Sequence, residues 1–434
     1  MGKPLEVHEF EAITCEQFDT INYGKYQLSE KEFFELESFI EEYNSKCESA
    51  DVLDFMRIGF KRNVGKYITI KNYVGLIQMN NGFQVQVLPK IDFDDEDADA
   101  DNSETKALFI KMLRSLKNFP GKIFSNANLS VGRMILYEIF INMYLQECWQ
   151  LVKHGIKSSY VEQTDNLNYY KGKLLVAEHI RRNIAHRERA FVVYDNYQAN
   201  IAENRIVKAT LLKLQKLTNS AENSREIRKL LVSFEMVESS GNYEKDFSRI
   251  VINRNTKDYE NLLVWSRVFL MNESFTTFSG STISRSLLFP MESVYESYVA
   301  KEMKKALTPY GWKVSCQDKG YYLFDEPRKK FALRPDIVIK KDGRTVVMDT
   351  KWKKLIPDER KNYGISQADM YQMYAYSKKY GNSDVWLLYP YYSEIQSLNN
   401  KVFKTDDNTT VRLWLVDLKN IEENFSLLRL ELEL

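Results

Sequence analysis

The sequence predicts a multi-domain α/β protein: a β-rich N-terminal domain over residues 1–104, a mainly helical middle region over 105–284, and a C-terminal mixed α/β domain over 285–434. Three observations predict it. A chain of 434 residues is longer than one hydrophobic core usually serves. The apolar pattern changes from alternating to helical and then to a mixture of both along the chain. Apolar residues make up 44% and charged residues 28%, the balance of a protein that folds.

In the first domain, residues from Arg57 to Ile91 alternate as strands do: Tyr67 to Ile70, Tyr73 to Gln78, then Asn81-Gly82 as a turn before Phe83 to Leu88. Seven of the ten residues from Asp92 to Asp101 are acidic, a run too charged to pack and expected to be a solvated loop or linker. From Thr105 to Leu217 apolar residues recur at helical spacing, as in Val131 to Val152 and Asn204 to Leu217, interrupted by an expected strand at Ala190 to Tyr194. The polar stretch Asn219 to Glu226 reads as turn-rich, after which the helical pattern resumes toward Leu270. The last domain reads as a helix from Phe289 to Leu307 and strands at Trp312 to Gln317, Tyr321 to Phe324, Ile337 to Ile339 and Thr345 to Met348. A second helix, Ser366 to Tyr380, and strands at Val385 to Leu388 and Val411 to Val416 follow. That αβββαβ order suggests a mixed sheet.

Composition removes several function classes. A net charge of +1 means that any contact with nucleic acid comes from a local patch or a partner. Cys15, Cys47, Cys148 and Cys316 form no CxxC pair, which argues against a zinc site, an iron–sulfur cluster or a disulfide framework and fits a reducing cytoplasm. The N-terminus has no hydrophobic signal core and no apolar run approaches the ~20 residues that span a bilayer, so no membrane partner is expected. No histidine follows His186, so a histidine-based nuclease cannot be centred in the last domain. Lys3, Lys25, Lys66, Lys122 and Lys173 each follow glycine, yet none precedes Ser or Thr as a P-loop requires.

The chemistry concentrates where Arg334-Pro335-Asp336 opens one strand, Lys341-Asp342-Gly343 turns the chain, and the return strand ends at Asp349-Thr350-Lys351. Antiparallel pairing places the carboxylates of Asp336 and Asp349 near one another, and the strand period of two points Lys351 the same way as Asp349. Two carboxylates and the backbone carbonyl of Thr350 suit Mg²⁺, which keeps several waters and binds phosphate oxygens in its other positions. Phosphodiester hydrolysis needs an activated water and a group that stabilises developing charge, and Lys351 can serve that need. Glu292 and Glu296, one turn apart on the preceding helix, are candidates for a further acid. On the later helix, Gln372 and Tyr376 stand four apart. They face either the sheet as packing or the acids, where neutral donors can touch a phosphate backbone. Trp352, Lys353 and Lys354 either rim a DNA groove or form a solvated strand end. Asp-x-Lys alone is a weak signal, and Asp417-Leu418-Lys419, with Asp406 and Asp407 upstream, repeats it. That copy lacks a hairpin between its acids and is followed by little chain for a flanking helix, so the first site is preferred.

Arg-Pro-Asp, a hairpin, Asp-Thr-Lys-Trp-Lys and a Gln-x-x-x-Tyr helix resemble the PD-(D/E)xK nuclease core, and specifically the McrC family, the nuclease subunit of McrBC restriction systems. Tyr73-Val-Gly-Leu-Ile-Gln, Val87-Leu-Pro-Lys-Ile91, Gly172-Lys-Leu174 and Glu203-Asn-Arg205 extend the resemblance over most of the chain. It implies a restriction-endonuclease-like fold, catalytic roles for Asp336, Asp349 and Lys351, and Glu296 rather than Glu292 as the helix acid, because Tyr295-Glu296 matches the family's aromatic-Glu pair. It also implies a cytoplasmic Mg²⁺-dependent endonuclease acting on double-stranded DNA, with a hexameric McrB-like AAA+ GTPase as partner; the partner, not this chain, binds GTP and reads the target. Arg57, Lys61, Arg62 and Lys66 either reach that partner or serve surface solubility. The alternatives are a non-catalytic adaptor that activates the GTPase on a vestigial nuclease fold, and a RecB-like repair exonuclease.

Overall fold

The structure, a computed structural model, describes residues 4–46, 56–79, 83–91, 98–117, 119, 135–254, 256–271, 284–381 and 384–433. The chain divides into two compact units, one of Met1–Phe119, Asn128–Met134 and Ser281–Leu434, the other of Pro120–Ala127 and Ile135–Gly280. No described helix is long and apolar enough to cross a membrane.

The first unit begins with β1 (Leu5–His8), β2 (Ala12–Cys15), β3 (Tyr26–Leu28), α1 (Glu30–Lys46), β4 (Met56–Lys61), β5 (Gly65–Ile70), β6 (Tyr73–Met79), β7 (Gln84–Leu88) and α2 (Ala98–Leu113). The β-rich reading of this region holds. One sheet runs β3-β2-β5-β4, and α1 covers it with Phe33, Leu36, Phe39 and Ile40, a buried helical stripe. The expected Asn81-Gly82 turn and residues 92–97 of the acidic run lie outside the described residues. The end of that run differs from expectation: residues 98–101 open α2 rather than a loop.

The second unit contains α3 (Leu136–His154), β8 (Ser159–Leu167), β9 (Lys173–Leu174), α4 (Val176–Asn183), β10 (Ala190–Gln198), α5 (Ala202–Leu217), α6 (Ala221–Ser233), α7 (Tyr243–Arg249) and α8 (Glu260–Met271). It is mainly helical, as its periodicity indicates. The expected strand is β10, and it pairs along its whole length with β8, whose Ser-Tyr-Val-Glu-Gln-Thr-Asp-Asn-Leu has no apolar face to announce a strand. The expected turn at Asn219 to Glu226 is instead the start of α6; Ser220 caps it by accepting from the Asn223 N–H at 3.3 Å. Asn204 is fully buried. Its amide donates to the carbonyls of Lys157 and Ala199 at 2.9 and 2.7 Å and accepts from the Tyr259 hydroxyl at 2.7 Å. Arg205 forks onto Asp246 at 2.7 and 3.2 Å. Asn204 and Arg205 thus fasten α5 to the loops at Lys157 and Ala199 and to α7.

The chain then returns to the first unit with β11 (Ser284–Pro290), which completes a second sheet of order β1-β7-β6-β11. Gly75 of β6 has φ +139° and lies opposite Leu288, where a Cβ would sit 1.9 Å from the Leu287 carbonyl oxygen. Only glycine permits that approach, which stitches the N-terminal sheet to the strand that leads into the site. Next come α9 (Met291–Leu307), β12 (Lys313–Cys316), β13 (Tyr322–Phe324), β14 (Lys330–Ala332), β15 (Ile337–Lys341), β16 (Arg344–Thr350), α10 (Gln367–Tyr380), β17 (Asp384–Pro390), β18 (Val402–Lys404), β19 (Thr410–Val416) and α11 (Ile421–Glu433). The helix expected from Phe289 starts at Met291, because Phe289 and Pro290 still belong to β11.

A mixed six-stranded sheet of order β12-β15-β16-β17-β19-β18 forms the centre. β15 is antiparallel to both its neighbours and β16, β17 and β19 run parallel. Val338, Val347, Val385, Leu387 and Leu413 pack one face against Met373 and Tyr376 of α10. The alternate residues, among them Met348 and Leu388, face the side where α9 lies against β16 and β12. Tyr321 to Phe324, expected as a strand of the main sheet, instead pairs only with β14 as a separate hairpin. The second Asp-x-Lys is also followed by a helix after all, α11.

Candidate active site

The turn at Asp342-Gly343, with φ of 49° and 81°, has the two left-handed positions that a tight hairpin requires. It sets the register in which Ile337 faces Met348, so one step further Asp336 faces Asp349. Asp336 Oδ2 accepts from the Thr350 N–H at 2.8 Å and from its hydroxyl at 2.6 Å, which fixes the first acid against the end of β16. Asp349 is 1% exposed, and its Oδ2 lies 2.6 Å from Lys351 Nζ. The contact is an ion pair without well-directed hydrogen-bond geometry, for Oδ2 has no hydrogen-bond partner among the described residues.

Burial, then the charge of Asp336, pushes the Asp349 carboxyl up to about 7. Burial also raises Asp336, against the hydrogen bonds from Thr350. Glu296 is raised to about 7 by burial and by Asp336, with its Oε1 accepting from Gln317 Nε2 at 3.0 Å. Glu292 is raised by burial as well and feels Lys351, Lys353 and Asp336, so both α9 acids face the cluster. Burial pulls the Lys351 ammonium down, but Asp349, Asp369 and Asp336 outweigh it and hold the group above its usual value. The arrangement is a buried surplus of carboxylates around one ammonium, a costly state unless a cation completes it.

The later helix faces this cluster. Gln372 Oε1 accepts from Lys351 Nζ at 3.0 Å, and Gln372 Nε2 donates to the Tyr376 hydroxyl at 2.8 Å. Tyr376 is buried at 2% exposure, so it acts on the cluster through Gln372. Lys353 bonds Asp369 at 2.9 and 3.3 Å and keeps its side chain 41% exposed. At Asp417 the carboxylate accepts from the Lys419 and Asn420 N–H groups at 2.9 and 3.0 Å ahead of α11, while Asp407 pairs with Lys378 at 2.5 Å and Tyr374 at 2.7 Å. Asp417 and Asp407 of that second motif thus have a local turn and a salt bridge to account for them.

Three neighbours escaped the reading of the sequence. Asp369, 3.8 Å from Lys351 Nζ, stands three residues before Gln372, and that spacing could have placed it on the same face. Gln317 bridges Glu296 and the Asp336 backbone, its N–H donating to the Asp336 carbonyl at 2.9 Å. Glu9 carried no local signal. It is fully buried and accepts from Trp352 Nε1 at 3.0 Å, while the Trp352 ring rests on Tyr295 at 5.2 Å. Trp352 is therefore neither a groove rim nor a solvated end: it locks the residue after Lys351 to the N-terminal strands.

Burial pushes Glu9 up to about 8, against hydrogen bonds from Trp352 and Lys90. The folded chain thus holds a proton that the unfolded chain has released. This protonation favours the fold fully below about 4.5, and the advantage is lost as pH rises to about 8. Glu9→Gln is expected to flatten the fall of stability across that window by up to about 1.4 kcal/mol per pH unit. Denaturant titrations at several pH values measure the slope; an unchanged slope would refute the assignment.

Among the described residues no group of three or more His, Cys, Asp or Glu side chains is arranged to hold a metal ion by itself. Mg²⁺ is commonly held by one or two carboxylates with waters and substrate phosphates making up the rest, so the site's chemistry is compatible with that ion.

Comparison with known proteins gives the lineage. Residues 68–390, about three quarters of the chain, match the family model "McrBC 5-methylcytosine restriction system component". No curated protein matches. Among solved structures, the chain is similar to one in the refined half-complex from the tetradecameric assembly of Thermococcus gammatolerans McrB AAA+ hexamers with bound McrC, at 18% identity and a TM-score of 0.70, covering 99% of this chain and 100% of that one. A chain in the cryo-EM structure of the Thermococcus gammatolerans McrBC complex matches at 18% identity and a TM-score of 0.49, covering 70% of this chain and 88% of that one. The first of these structures speaks for the fold alone, and the family match, spanning more than half of the sequence, establishes that this chain belongs to the family of McrBC 5-methylcytosine restriction system components.

Proposed function

We propose that the chain is the Mg²⁺-dependent DNA endonuclease subunit of a McrBC-type system, with a PD-(D/E)xK core built on β15, β16 and the helices α9 and α10. The observation that carries this is the pairing of Asp336 and Asp349 across one hairpin with Lys351 beside them. Asp336, Asp349, the Thr350 carbonyl and Glu296 are the groups that would hold the ion. The chemistry of the donor set, buried carboxylate and carbonyl oxygens with no nitrogen or sulfur ligand among them, supports that fit. When bound, Mg²⁺ supplies Lewis acidity at a phosphate oxygen and a lowered pKa for a coordinated water.

The chain's own residues supply the rest. Lys351, kept charged by the acids around it and oriented by Gln372, holds the attacking water and faces the charge that develops on the phosphate. Asp369 draws Lys353 to the same edge, where its exposed ammonium and Gln372 are placed for a phosphate backbone. Thr350 keeps Asp336 in place. The partner is a McrB-like AAA+ GTPase hexamer that binds GTP; this chain engages it and stimulates its hydrolysis, and double-stranded DNA is the substrate.

The test is a covalently closed plasmid incubated with the chain, a McrB-like GTPase from the same source, GTP and Mg²⁺. Linear product, abolished by a chelator, is expected. Degradation that requires a free DNA end would favour an exonuclease, and GTPase stimulation without any cut would favour an adaptor.

A further inference from the structure

Between β12 and β15 the chain leaves the central sheet, forms the β13–β14 hairpin and returns at Arg334-Pro335-Asp336. A loop joining two adjacent antiparallel strands needs only a few residues. This one instead presents Phe324 and Phe331 to solvent at 56% and 69% exposure, their rings 5.9 Å apart. Phe331 has φ +57°, a conformation that is strained for a bulky residue and that persists only where the surroundings impose it. Arg328, Lys329 and Lys330 follow one another beside these rings, all exposed and without an ion pair among the described residues.

The hairpin is tied to the acids on both sides. At its base the Leu333 N–H donates to the Tyr321 carbonyl at 2.9 Å, and Gln317, just before it, bonds the Asp336 backbone and Glu296. On its flank the Tyr321 ring lies 4.2 Å from Tyr380 and Asp325 pairs with Lys379 at 2.7 Å, both on α10, the helix that carries Gln372 and Asp369. A mobile surface loop would have neither tie. Solubility accounts for the basic residues but not for two exposed phenylalanines, and a protein interface tends to exclude lysine. Adjacent cations that attract phosphates, with an aromatic wedge beside them, suit a nucleic-acid duplex.

We propose that this hairpin is a DNA clamp of the active site: Arg328, Lys329 and Lys330 grip the phosphate backbone of duplex DNA while Phe324 and Phe331 wedge into its groove, holding the scissile phosphate over Asp336 and Asp349. This deepens the nuclease reading and rests on it for the identity of the substrate.

The test is binding of a fluorescent DNA duplex to the full chain in a chelator, at several salt concentrations. Replacing Arg328, Lys329 and Lys330 together by alanine is expected to weaken binding at least about ten-fold and to reduce the slope of log affinity against log salt by about two to three. Phe324→Ser with Phe331→Ser is expected to weaken it about ten-fold with the slope unchanged. All five side chains are exposed, so native melting temperatures are expected. The clamp is overturned if the native chain does not bind duplex at low salt, or if the variants bind with native affinity and slope. It is likewise overturned if they lose only stimulation of the GTPase, which would make the hairpin a protein contact. Asp349→Ala that cuts DNA normally would instead sink the nuclease reading, and the binding curves would still judge the hairpin.

Discussion

Asp349→Ala is expected to lower plasmid cleavage by at least about a thousand-fold, the consequence of losing roughly 4 kcal/mol of transition-state stabilisation at a metal-assisted centre. Stimulation of the partner's GTPase is expected to persist. Asp349 is 1% exposed at the end of a central strand, between Asp336 and Lys351. Its removal leaves Lys351 with Gln372 at 3.0 Å and Asp369 at 3.8 Å and relieves the crowding of buried acids, so loss of folding is not the expected route to inactivity. Equal cleavage by variant and native chain, at equal melting temperature, would refute the assignment.

Lys351→Met is expected to reduce kcat by about a hundred- to a thousand-fold with little change in KM, the signature of a group that acts in the transition state. Methionine keeps much of the stem and removes only the ammonium, which here contacts Asp349 at 2.6 Å and Gln372 at 3.0 Å. Lys351→Arg is not expected to rescue, because a planar fork does not fit a position shaped for a point charge between a carboxylate and an amide. A rise in KM alone would move Lys351 from chemistry to binding. Single-turnover cleavage in the assembled complex separates the two.

The heart of the site was legible because it is local. An Asp-Gly turn sets the hairpin register, and the register sets Asp336 against Asp349. Helix spacing paired Glu292 with Glu296 and Gln372 with Tyr376, the family resemblance chose Glu296, and the side that Gln372 faces stayed open. What failed was long-range or lacked an apolar pattern. Glu9 and Trp352 meet across 343 positions, and no periodicity connects them. β8 shows no hydrophobic alternation because neither of its faces is strongly buried. Tyr321 to Phe324 is a continuous run of large apolar residues like that of a sheet strand, yet Phe324 and Phe331 of the β13–β14 hairpin face solvent, so the apolar run alone assigned it to the wrong sheet. The capped start of α6 was mistaken for a turn, since serine and asparagine serve both.

Calorimetric titration of Mg²⁺ into the native chain and into Asp349→Ala, in the presence of uncleavable DNA, measures most directly whether these acids hold an ion. A saturable binding event in the native chain that disappears in the variant is the result expected here. Binding that survives the substitution unchanged, or plasmid cleavage that proceeds at full rate in a chelator, would contradict it.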